Sequence, residues 1–243
     1  MIIVAGDSNH DPKYQKERHN WPLYKGDESD PVKLWTEQVD ADILNISKIG
    51  YGNDQICNAV IKAVEENNNI DHVIVLWSQW YRVLKRPLRL YNKFIKENTS
   101  VNLDKTFEEI SDHTQFGGSP FYQLIFAISN ENAEYITNEN IKTFYTLQSF
   151  LKDRNIPYTF YQDLWPWPYL QYEQNLDTAK LITNHPLYDL IDKDNFWGWP
   201  IHPYLSGKYL GNLSVDTLSK TDSHYGQKTH DLLAKLLMKG VKQ

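Results

Sequence analysis

Four short apolar runs punctuate the chain, each stopping at a turn signal. Met1-Ile2-Ile3-Val4-Ala5 runs into Gly6-Asp7-Ser8, and Ile43-Leu44-Asn45-Ile46-Ser47 leads to Gly50-Tyr51-Gly52-Asn53. Val73-Ile74-Val75-Leu76-Trp77 ends at Ser78-Gln79, and Ile156-Pro157-Tyr158-Thr159-Phe160-Tyr161 is a fourth, weaker run. Apolar runs this short, bounded by glycine or polar residues, predict buried strands. Between them the spacing turns helical. Asp30-Pro31 offers a cap and first-turn pair ahead of Leu34, Trp35 and Val39. Residues 54 to 67 carry Ile56, Val60 and Val64 on one stripe, and residues 138 to 154 carry Ile141, Phe144, Leu147 and Leu151. A last helix, about 226 to 240, carries Leu232, Leu233, Leu236 and Leu237. Strands alternating with helices predict an α/β fold, a three-layer α/β/α sandwich around a mostly parallel, flavodoxin-like central sheet.

Two stretches break the alternation. Residues 9 to 29 are polar and aromatic and read as a long loop over the end of the first strand. Residues 100 to 135, with Gly117-Gly118-Ser119-Pro120, read as an insertion. Long loops of this kind are either functional or variable decoration. The 243 residues, 1–243, are expected to form a single domain.

Composition narrows the classes. The chain is 41% hydrophobic, enough for a substantial core, and no apolar run reaches the length of a membrane span. The first apolar stretch is too short for a signal peptide and lacks a basic leader, so a cytoplasmic protein is expected. Cys57 is the single cysteine, which excludes an intrachain disulfide, and its amphipathic setting predicts a buried thiol. A net charge of −6 with mixed signs argues against a nucleic-acid partner. The basic stretch from Arg82 to Arg89 has no glycine-rich phosphate-loop neighbours and reads as a solvated face or loop. Aromatics are 14% of the chain, with eight tryptophans, several beside prolines.

In a parallel α/β sheet, ligands bind beyond the carboxyl ends of the strands where strand order reverses. Ser8, Gly50 and Ser78-Gln79 all fall at such ends. Alone, Gly-Asp-Ser is also a common turn. Far downstream, Thr221-Asp222-Ser223-His224-Tyr225-Gly226 leads into the last helix, and an Asp-x-His element is itself often a capping turn. Paired with Ser8 it suggests more, because an activated serine needs a base whose tautomer is held by a third group.

Gly6-Asp7-Ser8 after the first strand, a glycine turn after the second and an Asp-His element before the last helix resemble the SGNH (GDSL-like) hydrolase family over the whole chain. Trp21-Pro22, Gly50-Tyr51-Gly52-Asn53, Trp77 to Arg82 and Trp197-Gly198-Trp199-Pro200 resemble divergent members from tailed phages. The resemblance implies Ser8 as nucleophile, His224 as base and Asp222 as its orienting acid, although Asp-x-His is one residue shorter than the commoner Asp-x-x-His. His230 is the minor alternative for the base. The oxyanion donors implied are the Ser8 amide, Gly50 (or Gly52 in the other register), and Gln79 or Ser78. The family's third block normally carries Gly-x-Asn-Asp, whose asparagine donates to the oxyanion, whereas this chain has Leu76-Trp77-Ser78-Gln79-Trp80. Asp7, Trp77, Trp80 and Trp197 are expected to line the substrate site.

The implied reaction is hydrolysis of a small-molecule or glycan ester through an acyl-serine, without cofactor or metal. Asp7, His10 and Asp11 lack a second cluster of ligands that would make a metal site. Trp165-Pro166-Trp167-Pro168 and Trp197-Gly198-Trp199-Pro200 would either present flat faces to sugars, suiting removal of acetyl groups from a glycan, or pack as rigid turns on the core. The alternative is a non-catalytic glycan-binding or virion-associated module on the same fold, which in a phage protein would sit in host cytoplasm or virion, among virion proteins. A flavodoxin-like nucleotide or flavin binder lacks its Gly-x-Gly-x-x-Gly turn or phosphate loop here.

Overall fold

Ile2, Ile3, Val4 and Ala5 are buried on both faces of the strand they form, β1 (Ile2–Ala5), as a continuous apolar run requires when helices cover both sides of a sheet. The structure, a computed structural model, describes residues 1–17, 32–80, 133–164, 176–219 and 222–241. After β1 come α1 (Pro12–Glu17), α2 (Trp35–Gln38), β2 (Ile43–Asn45), α3 (Asn53–Glu66) and β3 (His72–Trp77). Then follow α4 (Ala133–Asp153), β4 (Tyr158–Gln162), α5 (Leu176–Thr183), β5 (Phe196–Trp197) and α6 (Gln227–Val241).

The five strands pair in the order β2-β1-β3-β4-β5, and every pairing is parallel. Ile3 lies opposite Leu44 and Val73, and Phe160 opposite Val75 and Phe196, so the apolar rows run across the sheet in register. Side chains alternate between the two faces. Ile3, Val73, Val75, Trp77 and Phe160 pack under Ile56 and Val60 of α3 and Phe144, Leu147 and Leu151 of α4. Val4, Ile74 and Leu76 face the other way, onto Trp35 of α2 and Leu233 and Leu237 of α6. The fold is therefore the expected α/β class, a parallel sheet with helices on both sides. Among the described residues no helix is long and apolar enough to cross a membrane.

Several local expectations shift. The loop at 9 to 29 is not all loop, because Pro12–Glu17 is helical. The helix expected from Leu34 to Val39 is a single turn, with Leu34 and Val39 in extended backbone at its two ends. α4 begins at Ala133 rather than 138, so the last residues assigned to the insertion belong to a helix. α5 and β5 were not foreseen. Asp30-Pro31, Trp21-Pro22, Arg82 to Arg89, Gly117 to Pro120, Trp165 to Pro168 and Thr221 lie outside the described residues.

The chain leaves β1 toward β2 on one side and fills β3, β4 and β5 on the other. Strand order thus reverses between β1 and β3, and the crevice beyond their carboxyl ends is where such a sheet binds ligands. Ser8 follows β1 and Ser78-Gln79 follow β3 at that reversal.

Candidate active site

Residues 7 to 10 fold into a turn because Asp7 closes it twice. Its carbonyl accepts from the His10 N–H at 3.1 Å, and its carboxylate accepts from the Asn9 N–H at 3.1 Å. The turn presents the Ser8 hydroxyl to the loop before α6. There Ser8 O–H donates to His224 Nε2 at 2.7 Å, although the two residues stand 216 positions apart in the chain.

The other imidazole nitrogen, His224 Nδ1, donates to Asp222 Oδ1 at 2.6 Å. An ionised carboxylate only accepts, so the proton sits on Nδ1 and Nε2 is left as an acceptor for the serine proton. Asp222 Oδ1 also accepts the His224 backbone N–H at 3.1 Å, which makes the short Asp-x-His spacing workable: the carboxylate closes a local turn and orients the ring together. Burial works to raise the Asp222 carboxyl. The His224 side chain, its charge, its amide and the Tyr14 hydroxyl outweigh that and hold it at about 2.

Gly50 follows β2 in a turn with φ of +76°, a conformation that glycine adopts without strain. Among the described residues neither the Ser8 nor the Gly50 amide N–H has a hydrogen-bond acceptor, as donors reserved for a developing oxyanion would be. Gln79 follows β3 and is half-buried. Ser78 is different. Its hydroxyl donates to Asp7 Oδ2 at 2.7 Å and its N–H donates to Asn53 Oδ1 at 2.7 Å, so both donors are already engaged and Ser78 is corrected from oxyanion donor to structural link.

The expected substrate-lining residues also need correction. Asp7 is fully buried and spends its carboxylate on Ser78 and Asn9. Trp77 and Trp80 are fully buried as well. Trp77 packs on Phe144 and Phe160, and Trp80 donates its indole N–H to Gln162 Oε1 at 3.0 Å. A side chain enclosed this way offers no face to a substrate. Trp197 differs: it is half-buried in β5, its ring 6.0 Å from Tyr161, and the register sets it level with Tyr161 of β4 and Leu76 of β3, toward the carboxyl end of the sheet that carries Ser8. Trp199 packs on Phe196 and Phe144 in the core, the rigid-turn alternative for this Trp-Gly-Trp-Pro segment.

His230 makes no contact with Ser8; its ring lies 6.3 Å from that of His10 and 6.2 Å from that of Tyr225, in the interior. His10 and Asp11 have structural partners. His10 Nδ1 accepts from the Trp35 indole at 3.2 Å, and Asp11 accepts from the Lys13 and Ile49 N–H groups at 2.7 and 2.8 Å. Cys57 is buried, and burial followed by the nearby Asp54 pushes its thiol up to about 12.

Four polar groups were missed in the sequence. Tyr14 donates to Asp222 Oδ2. Asn9 donates to Asp163 Oδ2 at 3.0 Å while its Oδ1 accepts from the Tyr225 N–H at 3.3 Å, tying the nucleophile turn to the residue after His224. Asp163, fully buried, also accepts from the Tyr225 hydroxyl at 2.8 Å. His10 Nε2 stands 3.1 Å from Asp163 Oδ2, an ion-pair separation. Burial would raise the Asp163 carboxyl, but the His10 ring and the bonds from Asn9 and Tyr225 hold it below the ordinary carboxylate range. Asn53, at the start of α3, donates to Asn140 Oδ1 at 2.6 Å and to the Ser78 carbonyl at 3.2 Å.

No protein-family model matches the chain, and no curated protein does. Among solved structures the chain is similar to a psychrotrophic esterase, EstA from Pseudoalteromonas sp., solved inhibited by monoethylphosphonate. The identity is 12%, the TM-score 0.45, and the match covers 99% of this chain and 96% of that one.

Proposed function

We propose that this protein is a serine ester hydrolase of the SGNH type, with Ser8 as nucleophile, His224 as general base and Asp222 as its orienting acid. The observation that carries the reading is the continuous hydrogen-bonded chain from Ser8 Oγ through His224 Nε2 and Nδ1 to Asp222. Serine is a weak nucleophile at neutral pH and gains reactivity from an adjacent base in this way.

In the proposed reaction His224 Nε2 takes the Ser8 proton as Oγ attacks the ester carbonyl carbon. The tetrahedral oxyanion is held by the Ser8 and Gly50 amides, with Gln79 as third donor. His224 returns the proton to the departing alkoxide, leaving an acyl-serine. A water then repeats the steps, and the acid leaves. Each oxyanion donor is worth roughly a hundredfold to a thousandfold in rate.

Residue exposures of 2% at Ser8 and 7% at His224 support a short acyl group such as acetyl. On the alcohol side a glycan is the proposal, from the flat faces that the tryptophans of Trp165-Pro166-Trp167-Pro168 and Trp197-Gly198-Trp199-Pro200 would offer to sugar rings. The test is turnover of p-nitrophenyl esters of increasing chain length, and acetate release from an acetylated polysaccharide, by the wild type and by Ser8→Ala and His224→Ala. The account expects hydrolysis of the acetyl ester that both variants lose while melting as the wild type does. Turnover that survives Ser8→Ala would overturn it, and glycan binding without turnover would favour a non-catalytic module.

A further inference from the structure

Helix α1 is too short to be stable alone and is held from both ends of Asp11. One carboxylate oxygen caps the helix through the Lys13 N–H, and the other accepts from the N–H of Ile49, the neighbour of Gly50 in the turn after β2. Thus anchored, α1 buries Tyr14 in a small cluster with Leu218, Val32 and Ile49, on the rim formed by the histidine loop. The Tyr14 hydroxyl lies 2.9 Å from Asp222 Oδ2 and 3.1 Å from His224 Nδ1, and the tyrosine and imidazole rings are 4.4 Å apart, tilted by 41°.

We propose that Tyr14 is a positioning residue for the base, a second partner that holds His224 in the tautomer required for catalysis alongside Asp222. The inference rests on the hydrolase reading of the same site. The Tyr14 proton goes to Asp222 Oδ2. Its oxygen also stands 3.1 Å from Nδ1, within reach of the proton that Asp222 Oδ1 already accepts. Asp222 is thereby fixed by His224 on one oxygen and Tyr14 on the other, and the imidazole has two acceptors near Nδ1 instead of one. A triad that relies on its acid alone loses the correct tautomer when the acid is removed. Here Tyr14 remains to accept the Nδ1 proton, so the two partners back each other.

The test is a cycle of Tyr14→Phe, Asp222→Ala and the double variant, with kcat and KM for p-nitrophenyl acetate and thermal melts for each. Phenylalanine keeps the ring packing on His224 and removes only the hydroxyl. Tyr14→Phe alone is expected to lower kcat about three- to tenfold with KM unchanged, the size of one hydrogen bond. In the Asp222→Ala background the same change is expected to cost about thirtyfold or more, because both of the acceptors described beside Nδ1 are then lost. Equal losses in both backgrounds, or none, would overturn the proposal.

A second readout does not depend on turnover. In protein labelled with 15N-histidine, the His224 ring nitrogens report the tautomer. Tyr14→Phe, Asp222→Ala is expected to mix the two tautomers, whereas Asp222→Ala alone keeps Nδ1 protonated. An unchanged ring signal in the double variant would count against Tyr14 whatever the activity. A wild type that neither turns over esters nor reacts at Ser8 would instead defeat the hydrolase reading, and the ring signal would still decide the role of Tyr14.

Discussion

His230 is a buried imidazole, fully enclosed, and among the described residues neither of its ring nitrogens has a hydrogen-bond partner. Burial first, and the His10 ring beside it second, lower its pKa from 6.5 to about 3, against the opposing charges of Asp163, Asp216 and Asp231. The unfolded chain therefore binds a proton at this residue below about pH 6.5, while the folded protein refuses it until about pH 3. The stability His230 permits is complete above the unfolded value and is lost as pH falls through the window between the two. Proton linkage puts the loss from about pH 7.5 to about pH 5 at roughly 2 kcal/mol for this one group. Leucine at this place in α6 has similar volume, favours helix and does not titrate. His230→Leu is therefore expected to abolish about 2 kcal/mol of acid destabilisation over that window, and to be neutral or stabilising at neutral pH because an unsatisfied polar ring is removed. Urea unfolding of both proteins at several pH values, extrapolated to water, measures this directly. Parallel stability curves for wild type and variant would refute the reasoning.

Other parts of the account are open to similar tests. Gly198 has φ of +84°, and a Cβ there would stand 2.2 Å from the Lys208 carbonyl oxygen, so Gly198→Ala is expected to cost about 2–4 kcal/mol in thermal unfolding; a melt like the wild type would mean the segment rearranges freely. Asp7→Ala leaves the Ser78 hydroxyl and the Asn9 amide without their acceptor and is expected to cost about 2–4 kcal/mol, with Asp7→Asn recovering part of it by keeping one acceptor oxygen. If calorimetry finds the alanine variant as stable as the wild type, Asp7 does not support the nucleophile turn. Trp80→Phe removes the donor to Gln162 and is expected to lower stability by about 1–3 kcal/mol while KM stays unchanged. A raised KM at wild-type stability would return Trp80 to the substrate site.

The central strands were legible because β1 and β3 are buried on both faces, which leaves an uninterrupted apolar run in the sequence. The same run concealed which face each tryptophan takes. Trp77 falls in step with Val73 and Val75, and that alternation placed it under α3 and α4 rather than in the crevice. β5 is two residues long, too short to show any period. The start of α4 was missed because Asn140 interrupts its apolar stripe while being fully buried; its amide bonds to Asn53 and to the Trp80 and Ile136 carbonyls, contacts that no local pattern encodes.

At the site, Ser8 stood out because glycine and aspartate frame it at a strand end, and His224 because Asp222 lies beside it. Tyr14 had no such frame. It is one of sixteen tyrosines, and its partner Asp222 lies 208 residues away. Asn9 and Asp163, 154 residues apart, meet only once β1 and β4 are in one sheet. Ser78 was misread for a related reason: a hydroxyl at a strand end looks free until the acceptor at Asp7 is placed against it.

The central claim is that Ser8 is activated by His224, and intact mass after treatment with a fluorophosphonate tests it most directly. The account predicts one covalent adduct on the wild type and none on Ser8→Ala or His224→Ala. A folded wild type that stays unmodified, or an adduct that persists in Ser8→Ala, would contradict it.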